Sequence, residues 1–155
     1  MKDIIIRKAT LSDHDSLLRF EQGVIHAERP FDPTLGDDPI HYYDIKEMIA
    51  AEHIQLLVAQ AGDQLIGCGY ARMEDAKPYL RHTKFAYLGF MYTEPKFRGQ
   101  GVNQKIIGAL KDWSVSRGIT EMRLEVYAGN TAAQKAYVKA GFVSLMIEMR
   151  TALPG

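Results

Sequence analysis

The chain has one cysteine, Cys68, in 155 residues. A single thiol excludes an intrachain disulfide and a thiolate metal cluster, which suits a reducing compartment. Lying between Gly67 and Gly69 in a strand-like run, it reads as a small buried apolar group rather than an acyl carrier. The five histidines, His14, His26, His41, His53 and His82, show no ligand spacing and have no Cys partners, so no metal is expected. Gly-x-Ser-x-Gly is missing, which removes the usual serine-hydrolase arrangement. So is Gly-Lys-Ser/Thr, which removes a Walker phosphate loop. Nothing approaches the roughly 18 apolar residues of a membrane helix, and the N-terminal run around Ile4-Ile5-Ile6 is too short for a leader peptide. No membrane association is expected, and the expected location is the cytoplasm. An excess of either charge is also lacking: 19 Lys and Arg balance 19 Asp and Glu. That argues against a general nucleic-acid binder, yet leaves room for a local basic pocket.

What is present is an ordinary globular composition. Apolar residues make 46% of a length that suits one domain, so residues 1–155 are expected to share one core. Ile4-Ile5-Ile6 reads as a first strand, and Ser12 with Asp15 resembles a cap opening a helix with Leu17, Phe20 and Val24 on one face. Three prolines and a glycine between Glu28 and Pro39 make a loop, and Asp44 with Glu47 caps a short second helix. Strands follow at Ile54–Gln60, Leu65–Arg72 and Ala86–Thr93. A helix from Val102 carries Ile106, Leu110 and Trp113 on one side and ends at Gly118. Met122–Tyr127 reads as another strand, Asn130 caps a last helix closed by Gly141, and Phe142–Met149 reads as a closing strand. This order implies a mixed sheet covered by helices.

The chain is organised around Ala86 to Phe142. After the strand ending at Thr93, the turn Arg98-Gly99-Gln100-Gly101 leads into a helix. Gly99 and Gly101 allow positive φ and close backbone approach to a ligand. Successive N–H groups there, with the unpaired donors of the helix start, suit an anion such as phosphate. Arg98 adds a planar cationic fork. A dinucleotide fingerprint would need a third glycine where Gln104 stands, and Glu121 alone near the ribose-binding distance does not restore that pattern. On these residues alone, a strand-to-helix turn with no ligand fits equally well.

Arg98-x-x-Gly101-x-Asn103 resembles the acyl-CoA signature of the GCN5-related N-acetyltransferases, Q/R-x-x-G-x-G/A. Asn130-x-x-Ala133-x-x-x-Tyr137-x-x-x-Gly141-Phe142 is similar to a later stretch of the same family, and the match covers roughly the last 70 residues. Asn103 departs from the pattern, standing where the family usually has Gly or Ala; its side chain either crowds the pyrophosphate or donates its amide to it, and its small polar character favours the second. The resemblance implies an α/β fold of the α+β type. It has about six strands, splayed between the fourth and fifth, and about four helices. It implies acetyl-CoA as co-substrate, bound by Arg98, Gly99, Gln100, Gly101, Val102, Asn103 and Asn130, with the pantetheine arm pairing with the backbone of Met91 and Thr93. Relatives in that family often dimerise, so a homodimer is compatible with it.

Acyl transfer to an amine needs a positioned thioester, a route for the amine's proton and a donor for the leaving sulfur. Positioning alone can give effective molarities of roughly 10⁵ M or more. The resemblance assigns the donor to Tyr137, which by helical spacing alone would be a core aromatic beside Ala133 and Ala140. Many relatives carry a carboxylate on the strand equivalent to Ala86–Thr93, which has none here. The base candidates are therefore Glu125 and Glu28, with Tyr87 a third. The loop with Glu28, Arg29, Asp32, Asp37 and Asp38 lies where the family usually covers its acceptor. Its carboxylates would attract a cationic amine and Arg29 would clasp an acceptor carboxylate; a solvated acidic loop is the plainer account. Phe31, Tyr42 and Tyr43 could wall that site, with Tyr87 beside the acceptor. The expected function is transfer of an acetyl group from acetyl-CoA to a primary amine of a small molecule. The alternatives are a non-catalytic CoA-binding module and an acetyltransferase for protein N-termini or lysines.

Overall fold

The computed structural model describes residues 3–155; Met1 and Lys2, part of the run read for a leader, lie outside them. The chain forms two compact units, residues 1–125 and 126–155. In the first, the strands are β1 (Ile4–Lys8), β2 (Ile54–Ala61), β3 (Gln64–Asp75), β4 (Lys84–Thr93) and β5 (Met122–Arg123), and the helices are α1 (His14–Glu28), α2 (Ile45–Ala50) and α3 (Val102–Ser116). The sheet order is β1-β2-β3-β4-β5, antiparallel except for the parallel β4–β5 pair. The second unit contains α4 (Thr131–Lys139).

Alternation along β3 distributes the two faces of the sheet. Cys68 and Tyr70 join Leu17, Phe20, Ile45, Met48 and Phe90 in one core under α1 and α2. The intervening Gly67 and Gly69 meet α3: a Cβ on Gly69 would lie 3.0 Å from Ile106 and 2.4 Å from the Met91 sulfur. Glycine lets α3 sit close, and Ile106 and Leu110, both 0% exposed, bury their side chains against the sheet for about 1.5–3 kcal/mol each.

Helix starts follow local chemistry. Asp13 accepts from the Thr10 amide at 2.8 Å and from both Arg7 Nη groups at 2.8 and 2.9 Å. The capping pair thus lies two residues earlier than Ser12 and Asp15 and opens the 3₁₀ turn Leu11–Asp13 that leads into α1, with Arg7 of β1 fixing Asp13. Asp44 accepts from the Glu47 amide at 3.2 Å and opens α2. After Glu28 the chain makes a single 3₁₀ turn, Arg29–Phe31, before the loop.

Two strand expectations are corrected. The Met122–Tyr127 strand shortens to Met122–Arg123, pairing only with Ala86 and Tyr87. Phe142–Met149 forms no strand, so among the described residues five strands stand in place of six. In both cases strand propensity describes a side-chain pattern, while a strand needs a hydrogen-bonded neighbour. The separation expected between the fourth and fifth strands is present: β4 runs on from Leu88 to Thr93 with no β5 residue opposite.

Candidate active site

Where β4 leaves β5 it also bulges. Gly69 of β3 faces two residues, Phe90 and Met91, between the pairs Tyr70–Gly89 and Cys68–Tyr92. Phe90 takes φ +52°, a left-handed conformation that is costly for a bulky residue and characteristic of sites where backbone is re-aimed. The buried Cys68 Sγ donates to the Phe90 carbonyl at 3.3 Å, which gives that displaced group a partner. Burial pushes the Cys68 thiol well up, so it stays protonated. Beyond the bulge, Met91 and Thr93 lie on the part of β4 with no β5 neighbour, and the Thr93 carbonyl already accepts from Arg98 Nε at 3.2 Å.

At the end of β4 the turn closes into α3. Gly99 and Gly101 have φ +76° and +81°, and a Cβ on either would meet nothing within 4 Å. The first backbone bond of α3 runs from Lys105 to the Gly101 carbonyl. Among the described residues, the amides of Gly99, Gln100, Gly101, Val102 and Asn103 have no protein acceptor. Five donors at a helix start, with space in front of two of them, form a cradle for an anion. Thr93 Oγ1 donates to Asn103 Oδ1 at 2.8 Å, so the Asn103 amide nitrogen keeps its donors for another acceptor. Gln100 Nε2 bonds the Lys96 carbonyl at 3.2 Å, holding the turn itself.

Aromatic rings line the open end of β3 and β4. Tyr43 stacks on Phe90 with centroids 4.4 Å apart and meets Tyr70 edge-on at 6.0 Å; Tyr70 lies 6.4 Å from Tyr87. Carboxylates stand at both ends of this row. Tyr87 donates to Glu125 at 3.2 Å, and Glu28, at the end of α1, acts electrostatically on Tyr43. Burial raises the Glu28 carboxyl, while the Tyr42 phenol beside it pulls the other way. Burial, reinforced by Glu125, lifts the Tyr87 phenol far above its usual range.

Other expected residues are engaged elsewhere. Arg29 donates to the Gly36 carbonyl at 2.8 Å and to Asp38 at 2.6 Å, which ties the loop together. Asp32 accepts from the Thr34 amide and hydroxyl at 3.0 and 2.6 Å. In the second unit, Asn130 caps α4 by accepting from the Ala133 amide at 3.1 Å, and the Tyr137 ring meets Phe142 edge-on at 5.9 Å.

Two groups at the site carry no expectation from the sequence. Arg72 lies over the rings of both Tyr70 and Tyr87, at 5.4 and 5.2 Å, and bonds Glu74 at 2.9 Å. Glu21 is 0% exposed and accepts from the Tyr42 and Tyr43 amides at 2.9 and 2.8 Å, with His41 Nδ1 at 2.7 Å. It fixes the segment that carries both tyrosines to α1. A signal for it exists: Leu17, Glu21 and Ile25 fall at i, i+4 and i+8, a carboxylate inside an apolar stripe.

The Acetyltransferase (GNAT) family matches residues 22–142. The chain belongs to this family. It is therefore an acetyltransferase, and the fold just described is the GNAT fold. Among curated relatives, the GNAT chain is 28% identical over 106 residues to an aminoglycoside N(6')-acetyltransferase type 1 of Salmonella typhimurium, covering 68% of this chain and 73% of the relative. It is 23% identical over 152 residues to a thialysine N-epsilon-acetyltransferase of Bos taurus, covering 91% and 85%. Among solved structures, a tetramutant of the BH1408 protein from Bacillus halodurans superposes with TM-score 0.86 at 20% identity, over 96% of this chain and 99% of that one. The aminoglycoside acetyltransferase AAC(6')-Iy, in complex with a bisubstrate analogue of CoA and acetylneamine, superposes with TM-score 0.71 at 25% identity, over 97% and 99%.

Proposed function

We propose that this GNAT acetyltransferase moves an acetyl group from acetyl-CoA to a primary amine of a small molecule by direct attack. The observation that carries the reading is the set of open amides from Gly99 to Asn103 within the family match. Acetyl-CoA supplies the acyl group already activated as a thioester. The cradle amides and the Nη groups of Arg98 hold its pyrophosphate, and the stretch of β4 at Met91 and Thr93, beyond the end of β5, orients the arm that carries the thioester. Glu28 is the favoured base, since a carboxyl raised by burial takes a proton more readily near neutral pH. Glu125, already accepting from Tyr87, shapes the acceptor side with Tyr43 and Tyr70. Tyr137 passes its phenolic proton to the departing sulfur. The small-molecule acceptor is supported by the aminoglycoside acetyltransferases among the relatives.

The test is thiol release from acetyl-CoA against a panel of amines, including aminoglycosides and diamines. Release only with an amine present supports transfer, and none with any amine refutes it. Tyr137→Phe should lower kcat by about 10²-fold or more while leaving the acetyl-CoA Kd within about twofold. Unchanged kcat on the true acceptor would remove Tyr137 from the acid role.

A further inference from the structure

Glu21 stands in α1 with its carboxyl group wholly out of water. A buried carboxyl is costly unless its oxygens are bonded, and here both are used. Oε2 accepts from the Tyr42 amide at 2.9 Å and the Tyr43 amide at 2.8 Å, and His41 Nδ1 lies 2.7 Å from Oε1. One residue further along α1, Gln22 Nε2 donates to the Ile40 carbonyl at 3.0 Å. Residues 40–43 lie in neither helix nor strand, so their backbone has no ladder of its own and takes its partners from the side chains of α1.

The clamp holds aromatic side chains in place. The Tyr43 ring stacks on Phe90, the bulge residue with φ +52°, at 4.4 Å and meets Tyr70 edge-on at 6.0 Å. The Tyr42 phenol lies beside the Glu28 carboxyl. Both rings leave the backbone at residues whose amides end on one oxygen of Glu21, so a displaced carboxyl moves both together. We infer that Glu21 is a positioning residue for acetyl transfer: its Oε2 fixes the Tyr42 and Tyr43 amides and so sets where the acceptor amine lies against the aromatic row. Reach decides this role, not charge, because a carboxamide offers an oxygen at the same distance with its NH₂ turned to His41 Nδ1. The inference rests on the amine acceptor proposed above. The cradle from Gly99 to Asn103 follows the end of β4 and shares none of these contacts.

Glu21→Asp draws the carboxylate back by one carbon–carbon bond, about 1.5 Å, out of hydrogen-bond range of both amides. With an amine that the panel identifies, kcat/KM should fall by about 10²-fold and the amine KM should rise, while the acetyl-CoA Kd stays within about twofold. Calorimetry gives that Kd together with the number of binding sites per chain, which counts folded protein. Glu21→Gln should recover most of the loss, since its carbonyl reaches both amides. An Asp variant that loses only acetyl-CoA sites, with the amine KM unchanged, overturns the inference and leaves Glu21 a support of folding alone. A Gln variant as slow as the Asp variant overturns it too, because charge would then be the acting property. Should Glu21→Asp not fold, Tyr43→Leu breaks the same set of contacts at the ring, and an unchanged amine KM there is equally fatal. If no amine reacts, the transfer reading has failed by itself, and hydrogen exchange judges the clamp. The Tyr42 and Tyr43 amides should be protected in the wild type and in Glu21→Gln and open in Glu21→Asp; any other pattern overturns it.

Discussion

Glu28 is a charged side chain whose chemistry depends on how far it leaves water. Burial disfavours its anion and the Tyr42 phenol favours it, so the two oppose each other. If Glu28 takes the amine's proton, it must be ionised, and kcat/KM falls as pH drops through its raised pKa. Tyr42→Phe removes the stabilising donor, lets that pKa climb, and should move the acidic limb of the pH–kcat/KM profile to higher pH. A limb that stays in place would take Glu28 out of the base role. Glu28→Gln should cost about 10²–10⁴-fold in kcat. The turn residues were readable one by one: Gly99 and Gly101 announce their turn because only glycine takes positive φ freely, and both do so. Arg29 shows the opposite case, since its charge was readable and its partner, Asp38, was not.

Elements are held by polar groups as much as by apolar faces. Asp13 joins β1 to α1 by accepting from Arg7 and Thr10, and the Arg7 guanidinium is the main reason its carboxyl lies below the usual range. A carboxyl lowered on folding adds stability above its unfolded pKa, and that stability is lost as pH falls through the lowered folded value. Asp13→Asn should therefore reduce stability by about 1–3 kcal/mol near neutral pH, measured by urea denaturation. The deficit should shrink at acid pH, and a deficit constant with pH would show that the charge is irrelevant. Helices α1, α2, α3 and α4 were legible because caps and 3.6-residue stripes are local. Strand lengths were not, because Met122–Tyr127 pairs only as far as β4 offers an edge.

For the whole molecule, 19 Lys and Arg balance 19 Asp and Glu, so no long-range field of one sign acts on the chain and charge effects are local ones, such as the Arg7–Asp13 and Arg29–Asp38 pairs.

Sequence by itself determined the helices, the glycine turn, the expected cofactor and the family, because caps, φ preferences and motif spacing act over a few residues. Tertiary structure alone decided the Phe90 bulge, the burial of Glu21 under the Tyr42–Tyr43 segment, the engagement of Arg29 by Asp38 and the end of β5 after Arg123. Each of these depends on a partner distant in the chain. A hydrogen bond or a sheet edge exists only when both sides arrive, and one strand of residues cannot record the arrival of the other.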